Sequence, residues 1–256
     1  MCLGRAMRPA VLITGGARRI GAAIAAAFGK AGWHVVIHHR DSHDAAGALA
    51  ASLPSGEAVS CDLADGDAAC AMIAALAARL GDWRVLVNNA SVFERDTTDR
   101  LDPALFAEAM AVNAEAPVRM AQAFLAQARA AGGRRVIQLT DQKLVNPNPD
   151  FLSYTMSKHA LAASIAMLAM AQADPADRIY GLAPGASLAS FDQATSEHEV
   201  SGRLNLLGRL TAPQELAEAA LFLSHGWLAS GVTLIVDSGL NLVPCPRDVM
   251  FMARGK

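Results

Sequence analysis

Apolar positions along this chain come in short bursts, each followed by a longer stretch with helical spacing. Ala10–Thr14 is the first burst, and a glycine-rich turn carries it into an alanine-rich helix predicted over Ile20–Ala31. Trp33–His38 is the second, followed by a helix around Asp44–Ser52, and Glu57–Leu63 the third, followed by a helix over Gly66–Leu80. Arg84–Asn89 predicts a fourth strand, Pro103–Ala131 a long helical stretch, and Arg134–Thr140 a fifth strand. A helix over Ser153–Ala173, a strand at Arg178–Leu182, a polar helical segment, a helix over Pro213–Ser224 and a last strand at Val232–Val236 complete the pattern. Short apolar strands alternating with helices imply crossover connections, hence parallel strands covered on both faces.

The fold expected is therefore α/β: a single-domain, Rossmann-type, doubly wound parallel sheet of about seven strands with helices on both faces. Its ligand crevice belongs at the carboxyl ends of the strands. At 256 residues, without internal repeats or a low-complexity linker, residues 1–256 read as one domain. Residues 1–8 read as an N-terminal extension, and 186–205, polar and just after a strand, as a substrate lid. With 53% hydrophobic and 18% charged residues the composition is that of a globular protein. A net charge of −2 leaves no basic surface for nucleic acid or an anionic membrane, so a small molecule is the expected partner. The longest apolar run, Leu161–Ala171, is interrupted by Ser164 and too short to span a bilayer. The first ten residues lack the apolar core of a signal peptide. Cys2, Cys61, Cys70 and Cys245 have no C-x-x-C spacing and read as reduced thiols. Together these features point to a cytoplasmic location.

Chemistry first appears in VLITGGARRIG, a glycine-rich turn between a strand and a helix. Thr14, Gly15, Arg18, Arg19, Ile20 and Gly21 are candidate contacts to a dinucleotide, whose pyrophosphate would sit at the helix N-terminus. The second strand ends VVIHHRDS, with His39 where an Asp or Glu would otherwise meet a free ribose hydroxyl. Arg18, His39, Arg40 and Ser42 would instead receive a 2′-phosphate, so NADP(H) is the expected cofactor. His38, His39 and His43 lack a matching fourth ligand, which argues against a metal. Asp62 and Leu63 at the end of the third strand would meet the adenine. Asn89, Ala90 and Ser91 after the fourth would line the crevice floor.

Tyr154 and Lys158 stand four apart on one helical face. A nearby ammonium stabilises phenolate, so the pair is expected to lower the phenol pKa and supply an acid catalyst. These features together resemble the short-chain dehydrogenase/reductase family from about Ala10 to Leu242. TGGARRIG, Asp62, NNAS, Asn113, YTMSK, Pro184-Gly185 and SGVTLIVDSG carry the likeness. The resemblance implies that Asn113 anchors a water in a proton relay from Lys158, and that Pro184 and Gly185 shape the nicotinamide pocket. By analogy it also implies a homotetramer, with Leu105–Leu125 and Phe151–Met170 as interface candidates.

The chain departs from that pattern at two places. Arg19 replaces the middle glycine of T-G-x-x-x-G-x-G, and Asp141 replaces the catalytic serine expected upstream of the tyrosine. Both departures, with Asn89-Ala90-Ser91-Val92-Phe93, resemble the pteridine reductase branch, which includes bacterial dihydromonapterin reductases. That likeness implies a pterin stacked on Phe93, with Ser91, Arg19, Asp141 and Tyr154 among its contacts. A carboxylate suits N–H donors of a nitrogen heterocycle, where a ketone would want a neutral hydroxyl. The alternatives are a carbonyl reductase of the same family and a non-catalytic NADP(H)-binding regulator.

Overall fold

The structure is a computed structural model in which residues 8–189 and 193–255 are described. Seven parallel strands form one sheet in the order β3-β2-β1-β4-β5-β6-β7. Their ranges are β1 Ala10–Ile13, β2 His34–His39, β3 Gly56–Ser60, β4 Trp83–Asn88, β5 Arg135–Leu139, β6 Arg178–Pro184 and β7 Thr233–Val236. Because β1 pairs with both β2 and β4, the chain reverses its direction of winding there. In open sheets of this kind the ligand crevice belongs beyond the carboxyl ends of the strands at such a reversal, here β1 and β4.

Side-chain alternation along the strands divides the core into two layers. Leu12, Val36, Leu86 and Val136 face one way, toward α3 (Gly66–Arg79) and α5 (Ala116–Gln127). Val11, Ile13, Val35, Ile37, Val85 and Val87 face the other, toward α1 (Arg19–Lys30) and α8 (Pro213–Ser224). Trp83 and Phe124 meet edge to face at 4.8 Å inside the first layer. Emptying a buried aromatic site of that kind costs about 3–5 kcal/mol, a large share of a domain's stability of roughly 5–15 kcal/mol.

Helix starts follow local chemistry. Asp65 caps α3 by accepting from Asp67 N and Ala68 N, and Asp102 caps α4 (Pro103–Met110) in the same way. The predicted stretch Pro103–Ala131 is not one helix: α4 gives way to a π-helical turn over Ala111–Glu115 before α5 begins. Pro117 explains the break, since it has no N–H and Asn113 O cannot receive the bond an α-helix would supply. The third strand is shorter than expected, ending at Ser60, so Asp62 and Leu63 lie in the following loop. The remaining helices are α2 (His43–Ser52), α6 (Leu152–Met170), α7 (Thr195–Gly202) and α9 (Val249–Ala253). Most of the proposed N-terminal extension and residues 190–192 of the proposed lid lie outside the described residues.

Candidate active site

The glycine-rich turn joins β1 to α1 through two close approaches. Gly15 has φ +59, and a Cβ on Gly21 would lie 2.3 Å from Gly15 O, so only glycine fits against the returning loop. The first helical bond runs from Ala22 N to Arg18 O, leaving the N–H groups of Arg19, Ile20 and Gly21 at the helix mouth. A pyrophosphate matches that mouth in charge and in hydrogen-bond donors.

His38, which the sequence singled out only as one of three histidines, organises this loop. Its Nδ1 accepts from Gly15 N at 3.2 Å, its carbonyl accepts from Gly16 N at 2.9 Å, and its Nε2 donates to Cys61 O at 3.0 Å. The ring is therefore a neutral tautomer that ties the loop to β2 and to the end of β3. Burial lowers its pKa from 6.5 to about 4. The other two histidines point elsewhere, with His39 and His43 meeting edge to face at 4.6 Å.

The proposed 2′-phosphate contacts stand at the start of α1 and just past β2. Arg18 is exposed and makes no side-chain hydrogen bond or ion pair among the described residues. Ser42 precedes α2 without using its hydroxyl as a cap. Arg40 is more committed, with Nε 2.8 Å from Asp41 Oδ2 and NH1 3.8 Å from Glu108 Oε1. Asp62 is exposed and accepts from Ala64 N at 2.9 Å.

At the end of β4, Asn89 ties the crevice floor to the loop. Its Nδ2 donates to Thr14 O at 2.8 Å and Gly15 O at 3.2 Å. Thr14 Oγ1 accepts from Asn89 N and Ala90 N at 2.9 and 3.0 Å. Arg19 adopts the left-handed conformation (φ +54) that a glycine would favour at this position. Its guanidinium donates to Ala189 O at 3.0 Å and Leu188 O at 3.4 Å, so the loop reaches into the segment proposed as a lid. Pro184 ends β6, and Gly185 fits against Asp237, whose Cβ would be 2.6 Å from an added Cβ.

Asp141 and Tyr154 form the centre of the opposite side. The Tyr154 hydroxyl donates to Asp141 Oδ2 at 2.6 Å, while Lys143 N donates to Asp141 Oδ1 at 2.8 Å. Lys158 lies deeper, its Nζ donating to Leu139 O at 2.8 Å and standing 5.6 Å from the Tyr154 ring centroid. The expected lowering of the phenol pKa does not occur. Burial, then the Asp141 charge, push Tyr154 well above its usual value. Burial raises Asp141 as well and lowers Lys158 to about 8. A carboxylate at hydrogen-bond distance outweighs an ammonium that faces a backbone carbonyl. The pair is thus a proton-retaining unit rather than a preformed phenolate.

Asn113 is fully buried, and its side chain is already committed. Its Oδ1 accepts from Val92 N at 2.7 Å, and its Nδ2 donates to Val92 O at 2.9 Å and Ser157 Oγ at 3.0 Å. Its backbone carbonyl is the group deprived of an α-helical donor by Pro117.

Phe93 stands 40% exposed beside this unit, edge to face with Tyr154 at 4.6 Å and stacked on Phe151 at 4.3 Å. Phe151 is held at φ +58, its N–H donating to Asp96 O at 3.1 Å. The Asp96 carboxylate accepts from Ser153 N and Oγ at the start of α6. Phe251 and Met250 of α9 complete a buried cluster with Phe151 and Tyr154. The sequence reading missed this contribution, because α9 lies about a hundred residues from Phe151 and carries no motif. Ser91 is exposed near Phe93, its Oγ 3.3 Å from Val92 O.

Cys61, Cys70 and Cys245 are free thiols, and Cys2 lies outside the described residues. No described helix is long and apolar enough to cross a membrane.

Comparison with known proteins agrees with this arrangement. A family described as enoyl-(acyl carrier protein) reductase matches residues 15–241. The D-threitol dehydrogenase of Mycolicibacterium smegmatis is 28% identical over 240 residues, 90% of this chain and 92% of that protein. The 7alpha-hydroxysteroid dehydrogenase of Escherichia coli K12 is 29% identical over 238 residues, 89% and 92% of the two chains. Among solved structures, the FolM alternative dihydrofolate reductase 1 from Brucella canis, complexed with NADP, superposes with a TM-score of 0.86 at 32% identity, covering 92% of this chain and 94% of that one. The angucycline C-6 ketoreductase LanV with bound NADP gives 0.81 at 27% identity, covering 91% and 96%. With the parallel sheet, the glycine-rich turn and the Tyr154–Lys158 pair in place, the chain belongs to the short-chain dehydrogenase/reductase family of oxidoreductases.

Proposed function

We propose that the protein is an NADPH-dependent reductase of a C=N bond in a dihydropterin-type substrate. The observation that carries this reading is the 2.6 Å bond from Tyr154 to Asp141 beside the exposed Phe93. The likeness to FolM alternative dihydrofolate reductase at 32% identity supports it. NADPH, when bound, supplies the hydride. The N–H groups at the start of α1 would hold its pyrophosphate, and Arg18, Arg40 and Ser42 its 2′-phosphate. Lys158 would bind ribose hydroxyls, with Asp62 and Leu63 at the adenine and Pro184 and Gly185 at the nicotinamide.

Phe93 would hold a flat heterocycle by stacking. Asp141 would accept from an N–H of that ring, freeing the phenol to turn toward the ring nitrogen that gains a proton. The raised pKa keeps the phenol protonated until then, and losing the Asp141 contact removes one of the influences that make it a weak acid. Arg19 and Ser91 would bond polar edges of ring and cofactor. We further propose a cytoplasmic homotetramer, with α6 contributing to the interfaces.

The test is NADPH oxidation with dihydromonapterin, dihydrobiopterin and dihydrofolate. Absence of turnover with all three, alongside activity on simple ketones, refutes the reading. Asp141→Ser should nearly abolish pterin reduction. The dehydrogenase and ketoreductase names among the relatives favour a second reading, a carbonyl reductase. On that reading Asp141→Ser leaves or raises activity. Cofactor binding without hydride transfer to any substrate would favour a non-catalytic regulator.

A further inference from the structure

A second cluster of buried charge lies against the Asp141–Tyr154 pair and is used by none of the steps above. Lys143 follows Asp141 on a 3-10 turn, Gln142–Leu144, and is only 4% exposed. Its Nζ sits 2.7 Å from Asp248 Oδ2, 3.3 Å from Asp150 O and 4.8 Å from the Phe151 ring centroid. Asp248 caps α9, and the neighbouring Arg247 grips Asp150 through Nε and NH2 at 2.8 and 2.7 Å. Two ion pairs thus clamp the C-terminal segment onto the loop that carries Asp141. A buried lysine is uncommon, and one partnered across a hundred residues points to a role beyond solubility.

We propose that Lys143, clamped by Asp248, is a positioning residue for Asp141 and Tyr154, making the C-terminal segment part of the active site. Its backbone N–H orients the carboxylate, and its side-chain charge opposes the penalty of burying it. The groups facing Asp141 are Lys143 on its own turn, Tyr154 and Lys158 from α6, with Asp248 behind Lys143. Lys143 is the largest influence pulling Asp141 down against burial, and Asp248 acts instead on Tyr154, which it raises. The two partners of the clamp therefore have separable effects. The inference rests on the reading of Asp141 as a substrate-facing group, but its test does not need turnover.

The test follows the Asp141 carboxyl by ¹³C NMR of aspartate-labelled protein, with Asp141→Asn identifying its resonance. Lys143→Met should move the Asp141 titration to higher pH and lower the thermal midpoint, since the partly buried Asp248 loses its cation. Adding Asp248→Asn to Lys143→Met should restore the thermal midpoint while the Asp141 titration stays high. A purely structural lysine predicts that both recover together, and that result, or an unmoved titration in either variant, overturns the proposal. The double variant keeps the test decisive if Lys143→Met alone does not fold. Inactivity of the unmodified protein on every pterin refutes the substrate reading and leaves this titration measurable.

Discussion

The two sides of the crevice are built on different plans. The side proposed for the cofactor is made largely of backbone: Gly15, Gly16, Gly21 and the mouth of α1 follow one another in the chain, tied down by His38, Thr14 and Asn89. The side proposed for catalysis is made of side chains from four separate stretches, around Phe93, Asp141, Phe151–Lys158 and Asp248–Phe251. A backbone cradle tolerates little change of shape, because a Cβ has nowhere to go. A side-chain cluster tolerates change of shape better but depends on which groups carry protons. Variants on the two sides should therefore fail differently, the first in cofactor binding and the second in turnover.

The largest effect is expected from Tyr154→Phe. Removing a positioned acid should reduce turnover roughly 10²–10⁴-fold, while NADPH affinity, read by fluorescence titration, changes little. Equal losses in both would erase the contrast between the two sides.

His38 should show its effect as pH dependence of stability. Its folded pKa is about 4 against 6.5 unfolded, so between those values the unfolded chain binds a proton that the native state refuses. Its contribution is complete above pH 6.5 and is lost as pH falls toward 4, a change on the order of 3 kcal/mol. Urea denaturation across that window should be visibly flatter for His38→Asn. An unchanged slope would show that the ring titrates normally.

Gly21→Ala places a methyl against Gly15 O and should weaken NADPH binding with little effect on turnover at saturation. Overpacking costs about 1–3 kcal/mol, which if it falls on the bound state is roughly five- to 150-fold in affinity. The smallest effect is expected from Arg19→Gly. It relieves a left-handed non-glycine residue, worth about 1 kcal/mol, but cuts the bonds to Leu188 and Ala189. The thermal midpoint should hold or rise slightly, whereas KM for the pterin substrate rises. A change in NADPH affinity alone would place Arg19 wholly on the cofactor side.

Much of the cofactor side was legible in the residues because it is local. A strand, a glycine turn and a helix are contiguous, and the steric demand at Gly15 and Gly21 is written in their lack of side chains. The predicted strands all exist, with the third shorter than expected, and the one long helix that failed broke where Pro117 withdraws a donor. The protonation behaviour of Tyr154 could not be inferred in the same way. Four-residue spacing put Lys158 on its face of the helix, but the ammonium turns to Leu139 O while Asp141 takes the phenol.

The sequence by itself determined the alternating architecture, the glycine turn and the placing of Tyr154 and Lys158 on one helix face. Those follow from periodicity, from sterics at single residues and from spacing within one helix. Only the tertiary structure decided that His38 anchors the loop, that the Asn113 side chain is already committed, and that α9 closes over Phe151 and Tyr154. Burial and the direction of a hydrogen bond arise from contacts between distant stretches. No local pattern encodes which of two neighbouring charges a buried phenol will meet.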